Sequence, residues 1–173
     1  MNVETKEFIK TILRIKQPKS ILEIGTAIGY SSLVFDKYSK ADITTIELDS
    51  NIANIARENF EKFNSKINLI NDDAQKALTD INQGFDFVFI DANKAHYKAY
   101  FKLCANLLNQ DGIIIADNVL FKGMVTNDKL VNRRVITIVK RLRNYIAYTM
   151  DRDDFTTSLI PIGDGLTLSV KEK

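Results

Sequence analysis

The chain has 173 residues, 45% hydrophobic and 27% charged, and a net charge of +2. This length and composition predict one domain over residues 1–173 with a full hydrophobic core, and they exclude collagen-like and low-complexity proteins. A single cysteine and a single histidine exclude an internal disulfide and a Cys/His zinc site, which favours a cytoplasmic protein. Apolar runs are too short to cross a bilayer and no signal peptide is evident, so we expect no membrane partner.

Short β-branched runs alternate with longer helical patterns along the chain. The periodicity predicts helices at residues 4–16, 31–38, 50–64, 75–81, 97–108 and 129–148, the third of them capped by Ser50 or Asp49. Strands are predicted at residues 21–24, 43–46, 67–70, 85–90, 113–116, 156–161 and 166–170, and the last two flank Gly163-Asp164-Gly165 as a hairpin. Such alternation indicates an α/β fold, a parallel sheet covered on both faces with an antiparallel edge. Ligands bind such sheets outside the carboxyl ends of the strands, where we look for function.

The first strand ends in a glycine turn, with Gly25 and Gly29 ahead of a predicted helix. The spacing of the two glycines matches neither a dinucleotide-binding fingerprint nor a P-loop. The segment is therefore either a turn that binds another ligand or a plain strand–helix connection. Glu23 lies inside the apolar strand, where a charge needs a partner, and a ligand's cationic group would serve.

The next two strand ends are acidic. Glu47 follows the glycine turn by about 20 residues, where a carboxylate can accept both hydroxyls of a ribose, although a solvated strand end is the alternative. Asp73 and Ala74 follow the third strand and can read an adenine edge, whereas a helix-capping role for Asp73 is equally compatible.

Asp91 ends the fourth strand, and Asp117 and Asn118 end the fifth. Because these strands should be neighbours, we expect the three oxygen-bearing side chains to converge on Mg²⁺, unless the acids merely bind helix N-termini. Lys94 follows Asp91 by one helical turn and is a candidate base, or else an ordinary exposed lysine.

These motifs together resemble the Mg²⁺-dependent O-methyltransferases of the catechol and caffeoyl-CoA type. The segments that carry the resemblance are residues 23–32 (EIGTAIGYSS), 89–94 (FIDANK) and 117–120 (DNVL), with Glu47 and Asp73-Ala74 between them. The resemblance implies a seven-stranded Rossmann-like sheet and S-adenosylmethionine (SAM) as cofactor. It implies that Asp91, Asp117 and Asn118 hold the metal and that Lys94, with Asp91, is catalytic. It assigns the cofactor to Glu23, Gly25, Thr26, Ser31, Glu47, Asp73, Ala74 and Asp91.

The acceptor is predicted from a closer resemblance and from charge. Residues 25–32, 117–120 and 162–166 are similar to the bacterial branch that methylates 5-hydroxyuridine at the tRNA wobble position. A cluster that could track RNA phosphates comprises Arg133, Arg134, Lys140, Arg141 and Arg143. A solvated helix face, a small catechol-like phenol as acceptor, and a SAM-binding module without catalysis are the alternatives. Members of that family usually carry further helical sequence ahead of the segment that starts near Val3 and often use it in dimer contacts, so the resemblance leaves a homodimer as an open expectation.

Overall fold

The computed structural model describes residues 1–172 and contains six α-helices and seven strands among them. The strands are β1 (Ser20–Ile24), β2 (Asp42–Glu47), β3 (Ile67–Asn71), β4 (Phe85–Ile90), β5 (Leu108–Asp117), β6 (Phe155–Ile160) and β7 (Leu166–Lys171). The helices are α1 (Val3–Lys16), α2 (Tyr30–Tyr38), α3 (Ser50–Lys62), α4 (Ala74–Asp80), α5 (Tyr97–Leu107) and α6 (Ile136–Met150). Within this part of the chain no helix is both long and apolar enough to span a membrane.

The seven strands form one sheet in the order β3-β2-β1-β4-β5-β7-β6. The first five are parallel, and the β6–β7 hairpin adds the antiparallel edge. The predicted α/β fold is therefore confirmed. Because the chain winds outward from β1 in one direction and from β4 in the other, a crevice opens between the carboxyl ends of these two central strands, where such sheets bind ligands.

Hydrophobic residues cover both faces of the sheet. One cluster joins the sheet to α4, α5 and α6, and its centre includes Phe101 and Tyr145, which pack edge to face. The other lies under α1 and α2, where Phe35 packs edge to face on Phe87 and Phe89 of β4. Burial on both faces explains why β4 is an unbroken apolar run rather than an alternating one.

Two predicted boundaries are wrong, each for a local reason. The helix predicted from residue 129 begins at Ile136, because the Asn132 side chain accepts a hydrogen bond from the Arg134 amide (3.0 Å) and holds a turn instead. The strand predicted from residue 113 begins at Leu108, because β5 continues through an irregularity in which Asp111 has a left-handed φ of 56°. Of the two caps left open for α3, Asp49 is the one that forms, and Ser50 is the first helical residue.

Candidate functional site

The loop after β1 brings three strand ends together. The Gly25 amide donates to the carbonyl of Ile46 at the end of β2, and the Asp91 amide donates to that of Ile24, both at 3.0 Å. Gly25 has a φ of 96°, and a Cβ built on it would lie 2.2 Å from the Asp91 carbonyl oxygen. Only glycine therefore lets the backbones of β1 and β4 approach this closely.

Glu23 lies beneath this loop with no exposed surface. Its carboxylate accepts hydrogen bonds from the hydroxyls of Ser31, Ser32 and Thr45, the last at 2.7 Å. Burial raises the pKa of Glu23 to about 7, an effect that the three hydroxyls partly oppose. The expected cationic ligand partner is thus replaced by hydroxyls of the chain itself, and the Glu23 side chain supports the cleft from below.

The hydroxyls of Thr26 and Ser31 also point inward in this structure. Thr26 is 1% exposed and its hydroxyl lies 2.6 Å from that of Thr45, while Ser31 donates to Glu23. Of Gly25, Thr26 and Ser31, which the resemblance assigns to the cofactor, only Gly25 lines the cleft directly. The two hydroxyls instead tie α2 and the loop to the buried network.

A cleft of about 260 Å³ opens over the loop at the carboxyl ends of β1, β2 and β4. Glu47 lies on its wall, and its carboxylate accepts hydrogen bonds from the amides of Ala27 (2.8 Å) and Asp49 (3.0 Å). Asp73 and Ala74 lie on the same wall, where Asp73 also caps α4 through the amides of Gln75 (2.9 Å) and Lys76 (3.2 Å). The structure thus brings Gly25, Glu47, Asp73, Ala74 and Asp91 into one cavity.

Several lining residues were not identified from the sequence. They include Leu48, Asn93 and Tyr100. Leu48 is 69% exposed, and an apolar side chain directly after the strand-end Glu47 was a usable signal. Tyr100 lies inside the apolar pattern of α5, and the sequence pattern does not distinguish a residue that lines the cleft from one that is buried in the core. Burial, with the nearby charge of Asp73 adding to it, raises the pKa of Tyr100, so its phenol remains a hydrogen-bond donor at neutral pH.

Asp91 and Asp117 extend from adjacent positions of the sheet, because Ile90 of β4 and Ala116 of β5 are register partners. Asp117 is fully buried, and its Oδ1 accepts from the Asn118 amide at 2.7 Å while its Oδ2 has no hydrogen-bond partner among the described residues. Burial and the negative charge of Asp91 raise the pKa of Asp117 to about 6. Asp91 Oδ2 lies 3.6 Å from the Met1 nitrogen. Two carboxylates are therefore held together with one oxygen unsatisfied.

Lys94 lies in a short 3₁₀ helix (Lys94–His96) between β4 and α5. Its Nζ is 5.7 Å from the centroid of the Tyr97 ring, and the Tyr97 hydroxyl donates to the Asp117 carbonyl at 2.9 Å. The lysine does not line the cleft described above but lies at the side of the Asp91–Asp117 pair, facing α6. His96 packs on Tyr100, with ring centroids 5.9 Å apart.

The five basic residues predicted to contact RNA do not form one surface. Arg143 is engaged internally, since its guanidinium donates to the carbonyls of Val125 (2.8 Å) and Met124 (3.3 Å) and forms an ion pair with Asp128 at 2.6 Å. This corrects its assignment, because its donors already bind the loop before α6. Arg133, Arg134 and Lys140 are exposed, and Arg141 lines a separate groove between α5 and α6.

The strand order and the cleft at the β1–β4 crevice define a Rossmann-like methyltransferase fold. The O-methyltransferase family model matches residues 1–172. A Staphylococcus aureus structure named "putative caffeoyl-CoA O-methyltransferase" has a TM-score of 0.93 and 34% identity over 99% of this chain and 84% of its own. The S-adenosylhomocysteine-bound Podospora anserina methyltransferase PaMTH1 has a TM-score of 0.88 and 30% identity over 98% of this chain and 78% of its own.

A Dictyostelium discoideum protein named "Probable caffeoyl-CoA O-methyltransferase 3" is 30% identical over 96% of this chain and 74% of its own length. The chain therefore belongs to the family of SAM-dependent O-methyltransferases related to caffeoyl-CoA O-methyltransferase.

Proposed function

We propose that this protein binds SAM in the 260 Å³ cleft and methylates a hydroxyl of an acceptor held beside Asp91 and Asp117 with Mg²⁺. The observation that carries the proposal is the unsatisfied Oδ2 of Asp117, buried next to a second carboxylate. A buried polar atom without a partner is costly, and here a neighbouring carboxylate adds repulsion. A divalent cation would satisfy the oxygen and remove the repulsion.

The donor set fits Mg²⁺. Asp91, Asp117 and Asn118 offer hard oxygen ligands, and the φ of 57° at Asn118 is a backbone conformation that asparagine tolerates. Among residues 1–172 no cluster of three or more His, Cys, Asp and Glu side chains forms, so the proposed site consists of two carboxylates and the Asn118 amide. Two carboxylates and one amide leave room for water and an acceptor hydroxyl.

The cleft fits a nucleoside cofactor. The Glu47 carboxylate is held by two backbone amides, so it is positioned to accept from ribose hydroxyls without reorganising. Leu48, Ala74 and Tyr100 offer apolar surface for a base, with Asp73 at its edge. The S-adenosylhomocysteine bound by PaMTH1 on the same fold supports the same cofactor here.

The chain's own residues then orient the acceptor and move its proton. When bound, the metal would lower the pKa of the acceptor hydroxyl, and the cofactor would supply the methyl group. Asp91 lies in both the cofactor cleft and the carboxylate pair, so it sets the distance between the two substrates. Lys94 is proposed to receive the hydroxyl proton as its neutral amine, because its side chain lies beside the Asp91–Asp117 pair.

The proposed acceptor is 5-hydroxyuridine at the tRNA wobble position, which the reaction converts to 5-methoxyuridine. The sequence resemblance described above and the exposed Arg133, Arg134 and Lys140 support it. A small catechol-like phenol is the second candidate, supported by the names of the relatives, whose caffeoyl group is such a phenol. A module that binds SAM without catalysis is the third, and the carboxylate pair speaks against it.

The test uses labelled SAM and Mg²⁺ with three acceptors: tRNA carrying 5-hydroxyuridine, the same tRNA with uridine, and catechol. Labelling of the first alone supports the tRNA acceptor, and labelling of catechol alone overturns it. Asp91→Ala should abolish transfer and weaken Mn²⁺ binding measured by calorimetry, whereas Asp42→Ala, an exposed acid at the other end of the strands, should change neither. Cofactor binding with no transfer to any acceptor would favour the binding module.

A further inference from the structure

A second groove, of about 340 Å³, lies between α5 and α6 on the side of the sheet where Lys94 emerges. Its polar lining comprises Lys94, Lys98, Lys102, Arg141, His96 and Asn144. Within the described part of the chain no acidic residue lines it. The lysines recur every four residues and so project from the same face, with Arg141 opposite them on α6. The groove therefore concentrates positive charge.

Three of these cations, Lys98, Lys102 and Arg141, are held without a carboxylate partner. Among residues 1–172 none of them forms an ion pair, although Lys76, Arg143 and Arg152 elsewhere pair with Asp72, Asp128 and Asp154. Lys98 Nζ donates to Asn144 Oδ1 at 2.9 Å and lies 4.4 Å from the Tyr148 ring centroid, and Lys102 Nζ lies 5.4 Å from the same centroid. A neutral amide and an aromatic face thus position the ammonium groups while leaving their charge uncompensated.

The groove adjoins the candidate catalytic site through Lys94. This residue lines the groove, and it also approaches Tyr97, whose hydroxyl binds the backbone of Asp117. A ligand in the groove would therefore extend from the carboxylate pair along α5. Cations in a row favour a polyanion over a single carboxylate, and the planar guanidinium of Arg141 suits bidentate contacts with phosphate.

We propose that the α5–α6 groove binds phosphate groups of the acceptor while the acceptor hydroxyl lies at Asp91 and Asp117. This inference rests on the proposed methyl transfer. Phosphates of this kind come either from an RNA backbone or from the nucleotide part of a coenzyme A thioester. In both cases the groove adds affinity for the anionic part of the acceptor and leaves the methyl-transfer chemistry itself to the neighbouring site.

The test compares one triple variant with a matched control. Lys98→Glu, Lys102→Glu and Arg141→Glu are combined in the first, and Lys40→Glu, Lys62→Glu and Lys66→Glu, lysines outside the groove, in the second. A second triple variant, Lys98→Gln, Lys102→Gln and Arg141→Gln, removes the charges without reversing them and is used if the first variant misfolds. Circular dichroism monitors the folding of each variant. Acceptors are catechol, an anticodon stem-loop carrying 5-hydroxyuridine, and caffeoyl-CoA, each assayed at several salt concentrations.

The groove variants should raise KM for a phosphate-bearing acceptor by at least about 10-fold, with kcat little changed and a flatter salt dependence, because fewer counterions are released on binding. Catechol methylation and the control variant should be unaffected. An effect on the stem-loop alone identifies RNA, and an effect on caffeoyl-CoA alone identifies the nucleotide source. Unchanged KM for every phosphate-bearing acceptor overturns the proposal.

A separate binding measurement distinguishes failure of the groove from failure of the proposed function. Fluorescence anisotropy of a labelled stem-loop and of labelled coenzyme A reports binding without catalysis. Wild-type binding that is lost in the groove variants supports the groove even if no acceptor is methylated, in which case the proposed function alone has failed. If the wild-type protein binds neither probe, the proposal that the groove binds phosphate groups is overturned.

Discussion

The Glu23 carboxylate on β1 accepts a 2.7 Å hydrogen bond from the hydroxyl of Thr45, its register partner on β2. Ser31 and Ser32 from α2 add two more donors, so the carboxylate joins two strands to the helix that follows the glycine turn. Burial disfavours the ionised form more than the three hydroxyl hydrogen bonds stabilise it, so the pKa of this carboxyl rises from the ordinary 4.5 to about 7. The protonation state of this carboxyl beneath the cleft therefore changes near neutral pH.

Glu23→Gln should change the pH dependence of stability. Between pH 4.5 and about 7 the unfolded chain releases the Glu23 proton while the folded chain retains it, so the free energy of unfolding falls as pH rises through this window. The total loss is about 3 kcal/mol at about 1.4 kcal/mol per pKa unit, and glutamine removes it. Urea unfolding of both proteins from pH 4 to 8 measures the difference. Glu58→Gln, an exposed glutamate on α3, is the control, and a pH slope that E23Q leaves intact would contradict the assignment.

Asp117→Asn should stabilise the protein in the absence of metal and abolish stabilisation by metal. Asparagine keeps an acceptor for the Asn118 amide but removes a buried charge that Asp91 repels, which is worth about 1–3 kcal/mol at neutral pH. Magnesium should then raise the Tm of the wild-type protein, since a ligand stabilises the state that binds it, and not that of the variant. Thermal unfolding with Mg²⁺ and with EDTA checks both effects. Equal Mg²⁺-induced shifts in the two proteins would refute this metal assignment.

Gly25→Ala should damage the cleft more than Gly123→Ala. Both glycines have positive φ, 96° and 74°, but a Cβ at Gly25 meets the Asp91 carbonyl at 2.2 Å, whereas the nearest atom to one at Gly123 is a Leu130 methyl at 3.6 Å. Backbone strain alone costs about 1 kcal/mol at Gly123. At Gly25 the added clash should bring the loss above about 2 kcal/mol and weaken S-adenosylhomocysteine binding. Chemical unfolding measures the loss of stability, and calorimetric titration measures the loss of S-adenosylhomocysteine affinity. Equal losses in the two variants would show that the close approach of Gly25 to the Asp91 carbonyl is unimportant.

Arg143→Met should loosen the segment before α6. Methionine keeps the stem of the side chain but removes the hydrogen bonds to the carbonyls of Met124 and Val125 and the ion pair with Asp128, for a loss of about 1–2 kcal/mol. Hydrogen exchange should rise across residues 124–131. Arg133→Met, which alters an exposed arginine, should leave the exchange unchanged. If both variants exchange alike, the guanidinium does not hold the loop.

The strand–helix alternation and the positions at which strands end could be predicted from the residue pattern, because hydrophobic periodicity and glycine are local signals. The same pattern places Asp91 and Asp117 at the carboxyl ends of the fourth and fifth strands. Because these strands were expected to be neighbours, the two acids could be predicted to lie at adjacent positions. The neighbours of the polar groups emerge only from the folded chain: the Glu23 carboxylate accepts from three hydroxyls, Arg143 binds a loop of its own chain, and Lys98 and Lys102 of α5 line one groove with Arg141 of α6. These arrangements bring together residues from different elements. They depend on how the helices pack and on which atoms each side chain can contact, and neither can be predicted from one segment of the sequence.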